Sequence, residues 1–481
     1  MTAPSPRRWS SHQPNVPGRG IVAGYTARFW GLVVGLGVVT GAAASALMAL
    51  LRLTERLAFG SGHGSFLTDV RASADLRRVV VLVLAGLIVA AASRIRRRGP
   101  LAGGTEVSEA LWLHGGRLRL PPSLERGVIS IVTVGMGVSL GREAAPQLAG
   151  AAAASRLSDW ADLPLWQRRL LVAAGAGAGF GAVYNVPLGG ALFALEVLLG
   201  TLALPLVVPA LAVSVIATAV AWITLGTAHT YVMPSYGVHA AQLAWAALAG
   251  PLLGLLAVGW VRLIARAAAA RPSGRLALVV PPVVMLGLGL LSIPYPELLG
   301  NGKGIVQLAV AGGLSLGVGA ALMVLKPAVT AACLASGAPG GLFTPTLTVG
   351  VLVSVVLAAL WSHLWPHVAP GAYALIGGGA FLAAAMQGPI SGIVIVLELT
   401  QRFDALMVPT LLAVCLATIV ARRLGAHTIY SARLPRSPFP GSEAIGTLDD
   451  DRASLPPPPQ NDERAGRDAP DPPSTSAGVP G

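Results

Sequence analysis

Apolar residues in this chain come in long blocks, with most charges confined to the intervals between them. Phe29–Leu51 is the first block and Val79–Ala92 the second, separated by the polar stretch Arg52–Arg78. Further blocks follow at Val128–Leu140, Leu170–Tyr184, Ala203–Leu225, Leu243–Ile264, Leu276–Ile293, Leu314–Thr330, Thr346–Trp361, from Ala372, and at Leu406–Ala421. Several approach twenty residues, enough for a helix to cross the hydrocarbon core of a bilayer. Between them lie pieces too short to cross, each opened by glycine or proline: Gly99–Leu113, Pro187–Leu199 and the stretch after Gly300–Gly304. The pattern predicts an all-α polytopic membrane protein of about 16–18 helical segments, some of them broken.

Composition agrees with the pattern. Of 481 residues, 54% are hydrophobic and only 11% charged, and mean hydropathy is +0.69. The net charge of +13 does not imply a nucleic-acid partner. Much of the Lys and Arg, such as Arg94–Arg98, flanks apolar blocks, as the positive-inside rule expects of cytoplasmic loops. That rule sets both termini in the cytoplasm, and a multi-pass plasma-membrane protein is expected. Residues 1–22 and 435–481 are polar, rich in Pro and Ser, and expected to be disordered tails. Cys333 and Cys415 lie in apolar segments and read as inert thiols. The histidines, among them His12, His63, His114 and His229, form no ligand cluster. No metal or cofactor is expected.

One stretch breaks the apolar rule. Gly141–Gln147, GREAAPQ, sets Arg142 and Glu143 inside an otherwise apolar run. Ionisable groups at such depth are costly and mark function by default. Pro146 suits the first turn of a new helix, and a helix start attracts anions. The stretch also has a counterpart. Gly341–Pro345 follows it by 200 residues, and Gln387–Glu398 (QGPISGIVIVLE) repeats Asn185–Glu196 (NVPLGGALFALE) at 202. The turn near Gly103 is matched near Gly302. The common offset divides the membrane part into halves, 23–230 and 231–434, and paired Gly/Pro-interrupted segments in two halves point to a transport site at mid-membrane. Glu196 and Glu398, matched by the repeat, are expected to hold free backbone amides at broken helices.

The set of motifs, from about Phe29 to Leu434, resembles the CLC family of chloride channels and chloride/proton antiporters. GREAAPQ is similar to that family's GREGP segment, SGAPGGLFTP (Ser336–Pro345) to its GxFxP segment, and Tyr430 in HTIYSA falls where the family has its pore tyrosine. The resemblance implies an inverted repeat of tilted and broken helices, and a homodimer in membrane lipid with one pore per subunit. The dimer interface would come from segments near 187–226 and 372–421. It implies that Glu143 gates the anion path. Backbone N–H groups of Leu342 and Phe343 and the Tyr430 hydroxyl would hold a central chloride, and the Ala144 and Ala145 amides would face an outer site. Neutral donors of this kind replace hydration without holding the ion too tightly to leave. Arg142 and Lys303 read as vestibule charges.

The sequence departs from the family at three places. Ala102 stands where the family's inner serine is expected, so the inner coordination must differ; Ser108 is nearby in sequence but on a different turn. Val197 stands where antiporters often carry an internal proton-transfer glutamate. Ala144 and Ala145 replace the glycine and proline of GREGP. The expected function is chloride transport, channel-like or weakly coupled to protons. The alternatives are a proton-coupled chloride antiporter, or the same fold carrying another anion such as fluoride or nitrate. An intramembrane enzyme lacks support: no HExxH and no paired catalytic aspartates occur, and the intact GLFTP segment argues against a non-transporting scaffold.

Overall fold

The computed structural model describes residues 25–60, 64–98, 106–237, 239–365, 369–401 and 406–434. The expected tails, Ala102, His12 and His63 lie outside the described residues.

The first half of the described chain forms α1 (Ala27–Phe59), α2 (Phe66–Ala72), α3 (Asp75–Arg98), α4 (Val107–Leu113), α5 (Leu120–Gly135), α6 (Ala144–Trp160), α7 (Leu165–Tyr184), α8 (Pro187–Leu192) and α9 (Leu204–Leu225). The second half forms α10 (Ala240–Ala269), α11 (Leu276–Leu291), α12 (Lys303–Val310), α13 (Leu316–Ala335), α14 (Phe343–Trp361), α15 (Pro370–Met386), α16 (Pro389–Thr400) and α17 (Met407–Arg423). Six of these, α1, α3, α9, α10, α13 and α14, are long and apolar enough to cross a membrane.

With α2 set aside, the halves correspond helix by helix, from α1 with α10 to α9 with α17. The repeat is inverted. On the α3–α11 pair Gly86 lies on Pro282 while Gly289 lies on Val79, so the two helices run antiparallel. α8 and α16 also run antiparallel, and each is tied to the glutamate that ends the other. Glu398 accepts from the Leu188 and Gly189 N–H groups at 3.1 and 2.6 Å. Glu196 accepts from the Ile390 and Ser391 N–H groups at 3.2 and 2.6 Å and from the Ser391 hydroxyl at 2.6 Å. The expected amide-holding role is met, with one refinement: each glutamate serves the other half's broken helix. The first N–H groups of a helix have no partner within it, and water cannot serve them in the interior of a membrane protein.

Local chemistry explains the breaks. α7 and α15 end on Asn185 and Gln387, both left-handed with φ of 57° and 55°, a conformation that most side chains avoid. Pro187 and Pro389 then open the next helix in its first turn, where the missing N–H is no loss. α6 and α7 meet backbone to backbone at Gly150 and Gly175, where a Cβ on either would strike the other's carbonyl. The buried Lys326 ammonium donates to the Leu298 and Gly300 carbonyls at 2.9 and 2.8 Å, pinning the turn before α12.

Some boundaries differ from the pattern. α1 continues to Phe59, because polar residues such as Glu55 and Arg56 still favour helix once the span has ended, and α2, opened by a capping box at Ser65, lies inside the stretch read as a polar loop. α5 starts within the basic loop, its first turn fixed by proline. The segment Pro187–Leu199 is not uniform: after Leu192 it widens into a π-helical turn, Phe193–Leu199, which carries Glu196 and Val197.

Candidate functional site

The starts of α6 and α14 are joined to each other. Gly141 N–H donates to the Gly341 carbonyl at 2.7 Å, and Gly341 N–H donates back at 2.7 Å. This bridge across the repeat brings two helix N-termini, with their free N–H groups and positive potential, to one place. Glu143 occupies the cap position of α6, and its buried side chain crosses to the other half. Oε1 accepts from Phe343 N–H at 2.7 Å. Oε2 accepts from the Tyr184 hydroxyl at 2.9 Å. The carboxylate fills the space where a Cβ on Gly141 or Gly341 would stand.

The Tyr184 hydroxyl also lies 2.6 Å from the Thr344 hydroxyl. Arg142 does not close on the glutamate; its guanidinium sits over the Tyr184 ring, 5.1 Å from the centroid. An aromatic wall surrounds the group: Phe180 packs on Phe343 at 4.7 Å, and Phe193 on Tyr430 at 5.3 Å. A wall of this kind excludes water and strengthens every charge–dipole contact inside it.

Glu143, Ala144, Ala145, Leu342 and Tyr430 line one cavity, and Phe343 reaches the same place through its N–H. The Tyr430 hydroxyl is buried and has no hydrogen-bond partner among the described residues. At one end of the cavity Glu106 collects three guanidiniums, Arg126 at 2.9 Å, Arg433 at 3.0 Å and Arg271 at 3.6 Å. Burial alone would push the Glu106 carboxyl up, but Arg433, Arg126 and Arg271 outweigh it and hold the group at about 2. Three cations around one anion leave this end positive.

The structure therefore brings together every expected site residue that it describes; Ala102 lies outside the described residues. Ser108 lines the cavity too. Val197 is buried, and a Cβ on Gly388 would meet its side chain at 2.7 Å. Sequence reasoning missed Tyr184, Ser130, Gln147 and the Glu106 cluster. Gln147 carried a visible signal: it is polar, in an apolar helix, one turn beyond Glu143. Tyr184 carried none, because only the fold brings the end of α7 to the start of α6.

Comparison with known proteins gives consistent results. A family model described as "Voltage gated chloride channel" matches residues 81–422. A protein of Ralstonia nicotianae described as a ClcB-like chloride channel protein is 31% identical over 353 residues, covering 70% of this chain and 80% of that one. The H(+)/Cl(−) exchange transporter ClcA of Cronobacter sakazakii is 30% identical over 368 residues, covering 71% and 76%. Among solved structures, a slow cyanobacterial Cl−/H+ antiporter aligns with a TM-score of 0.74 at 21% identity, covering 89% of this chain and 100% of that chain. A CLC-type fluoride/proton antiporter aligns at 0.67 with 19% identity, covering 84% and 97%. Both structural likenesses speak to the fold.

Proposed function

Since the chain belongs to the CLC family, that of the voltage gated chloride channels, we propose that it carries chloride across the plasma membrane through a path that Glu143 gates. The observation that carries this reading is the Glu143 carboxylate resting on Phe343 N–H, at the point where two helix starts converge. A carboxylate held there by neutral donors is itself an anion in an anion site, so a chloride must displace it. The central ion would take the Leu342 and Phe343 N–H groups and the Tyr430 hydroxyl, and the Ala144 and Ala145 amides would serve the outer site. The protein acts as a transporter and not as an enzyme, and it needs no cofactor.

Glu55, at the far end of α1, lies within electrostatic reach of Arg142, Lys303 and Arg52. At the near end of α1, Tyr25 packs on Trp166 of α7, whose Arg169 is bonded to Leu111 of α4 beside the Glu106 cluster. With both termini cytoplasmic, Glu106 marks the inner mouth and Arg142 the outer. Exposed Leu188, Ile223, Ile390 and Ile419 on α8, α9, α16 and α17 support a homodimer interface near 187–226 and 372–421, with lipid on the rest of the apolar surface. The repeat halves 23–230 and 231–434 then meet at each subunit's own pore.

Val197 cannot carry a proton, so the pathway is channel-like or weakly proton-coupled. The exchange activity named for the Cronobacter sakazakii relative keeps proton-coupled antiport as the second reading. Reversal potential in proteoliposomes under crossed chloride and pH gradients decides. A value at the chloride Nernst potential means a channel, and a shift with the pH gradient means exchange. A folded protein that moves no halide overturns the proposal. Competition by fluoride and nitrate in the same assay ranks the anions.

A further inference from the structure

Three side-chain groups in the cavity next to Glu143 have no hydrogen-bond partner among the described residues: Ser130 Oγ, Gln147 Nε2 and the Tyr430 hydroxyl. Their residues are 2%, 7% and 7% exposed. Buried polar groups are nearly always satisfied, and an unsatisfied donor costs about 1–3 kcal/mol. Three such groups on residues that line one cavity call for an occupant that accepts hydrogen bonds.

Two observations indicate why an occupant fits there. First, placement. Gln147 lies four residues after Glu143 on α6, on the same helix face. Ser130 lies three residues after Gly127 on α5, where α5 packs on Ala145: a Cβ on Gly127 would meet the Ala145 Cβ at 3.5 Å. Two adjoining helix faces thus bring a hydroxyl and a carboxamide to the cavity that Tyr430, after α17, also lines. Second, charge. The cavity's own carboxylates are already engaged, Glu143 by Phe343 N–H and Tyr184, and Glu106 by Arg126, Arg271 and Arg433. The free groups can all donate, and the guanidiniums around Glu106 make that end positive, which favours an anion over a neutral occupant.

We propose that Ser130 and Gln147, together with Tyr430, supply the side-chain donors of this chain's central halide site. The proposal rests on the anion-transport reading above and adds residues that the family motifs do not contain. Ser130 and Gln147 set how strongly that site holds a halide. A small anion, chloride or fluoride, is the class of ligand it takes.

The test uses the full-length protein, purified in detergent and in proteoliposomes, as wild type, Ser130→Ala, Gln147→Met and the double variant. Chloride and fluoride binding are measured by calorimetry, and thermal unfolding is followed with and without halide. Each single substitution is expected to weaken chloride binding about tenfold, the loss of one hydrogen bond to a charged group, and the double variant more. In halide-free buffer the variants should unfold no earlier than wild type, since no intramolecular hydrogen bond is removed, while the rise in Tm on adding chloride shrinks. A merely structural role for the two side chains gives the opposite result: lower halide-free Tm and unchanged binding. Should wild type carry chloride and respond to Glu143→Gln while Ser130→Ala and Gln147→Met bind chloride as tightly as wild type, these donors are refuted and the transport reading stands. If wild type neither binds nor carries halide, both are refuted.

Discussion

The Tyr184 hydroxyl donates to the Glu143 carboxylate at 2.9 Å, from the end of α7 to the start of α6. With Phe343 N–H on the other oxygen, the carboxylate is held at two points, and the tyrosine contact is the one that no motif encodes. It biases the competition between carboxylate and chloride toward the carboxylate. Tyr184→Phe removes that donor and leaves the aromatic packing on Phe180 and Phe343. Half-saturating chloride in a flux assay is expected to fall about tenfold, the worth of one hydrogen bond to a charged group. An unchanged value would mean that the hydroxyl serves only Thr344.

Gly341 borders Glu143 so closely that a Cβ there would overlap the glutamate side chain. Gly341→Ala is therefore expected to expel the carboxylate from its place, giving either ungated flux or poor folding. The double variant Gly341→Ala/Glu143→Ala should match Glu143→Ala alone in yield, Tm and flux, because the clash partner is gone. The cycle isolates the pairwise term. If the double variant is as impaired as Gly341→Ala, the glycine is needed for its backbone and not for the carboxylate.

The line between what could be read in the sequence and what could not runs through these same residues. The division into two halves and the broken helices at Pro187 and Pro389 follow from local breaks repeated at one offset, whereas the inversion of the repeat was implied only by the family resemblance and the bridge between Gly141 and Gly341 is seen in the fold. Glu143 announced itself as a charge in an apolar run. Tyr184 and the Glu106 cluster did not, because each becomes significant only through partners 20 to 327 residues away in sequence. The cross-over of Glu196 and Glu398 was half visible. The repeat marked them as a pair, but which half-helix each would cap depends on the antiparallel packing of α8 on α16.

That cross-over makes a stability prediction. Glu196→Ala strips a carboxylate from two backbone N–H groups and the Ser391 hydroxyl. Glu398→Ala strips one from Leu188 and Gly189. Each is expected to cost about 2–3 kcal/mol, the range for hydrogen bonds to a charged group, read as a lower Tm in detergent. Glu196→Gln keeps an acceptor and should recover part of the loss while leaving any pH dependence of flux as in wild type. A change in that pH dependence with Tm intact would instead place Glu196 on a proton path.

Glu106 provides the pH test. Its carboxyl, held at about 2 against an ordinary value of 4.5, is depressed in the folded state. Such a group contributes its full stabilisation above the unfolded value and loses it as pH falls toward the folded one. Wild-type Tm in detergent should therefore decline between about pH 5 and pH 2, with at most about 3 kcal/mol at stake for this one carboxyl. Glu106→Gln should start lower at pH 7, because Arg126, Arg433 and Arg271 then face one another without a counter-charge, and should lack that part of the acid slope. The same variant makes that end of the path more positive by one charge, so chloride entry from that side should become faster and more sensitive to salt. Parallel acid slopes for wild type and Glu106→Gln would show that the three guanidiniums are not what holds this carboxyl ionised.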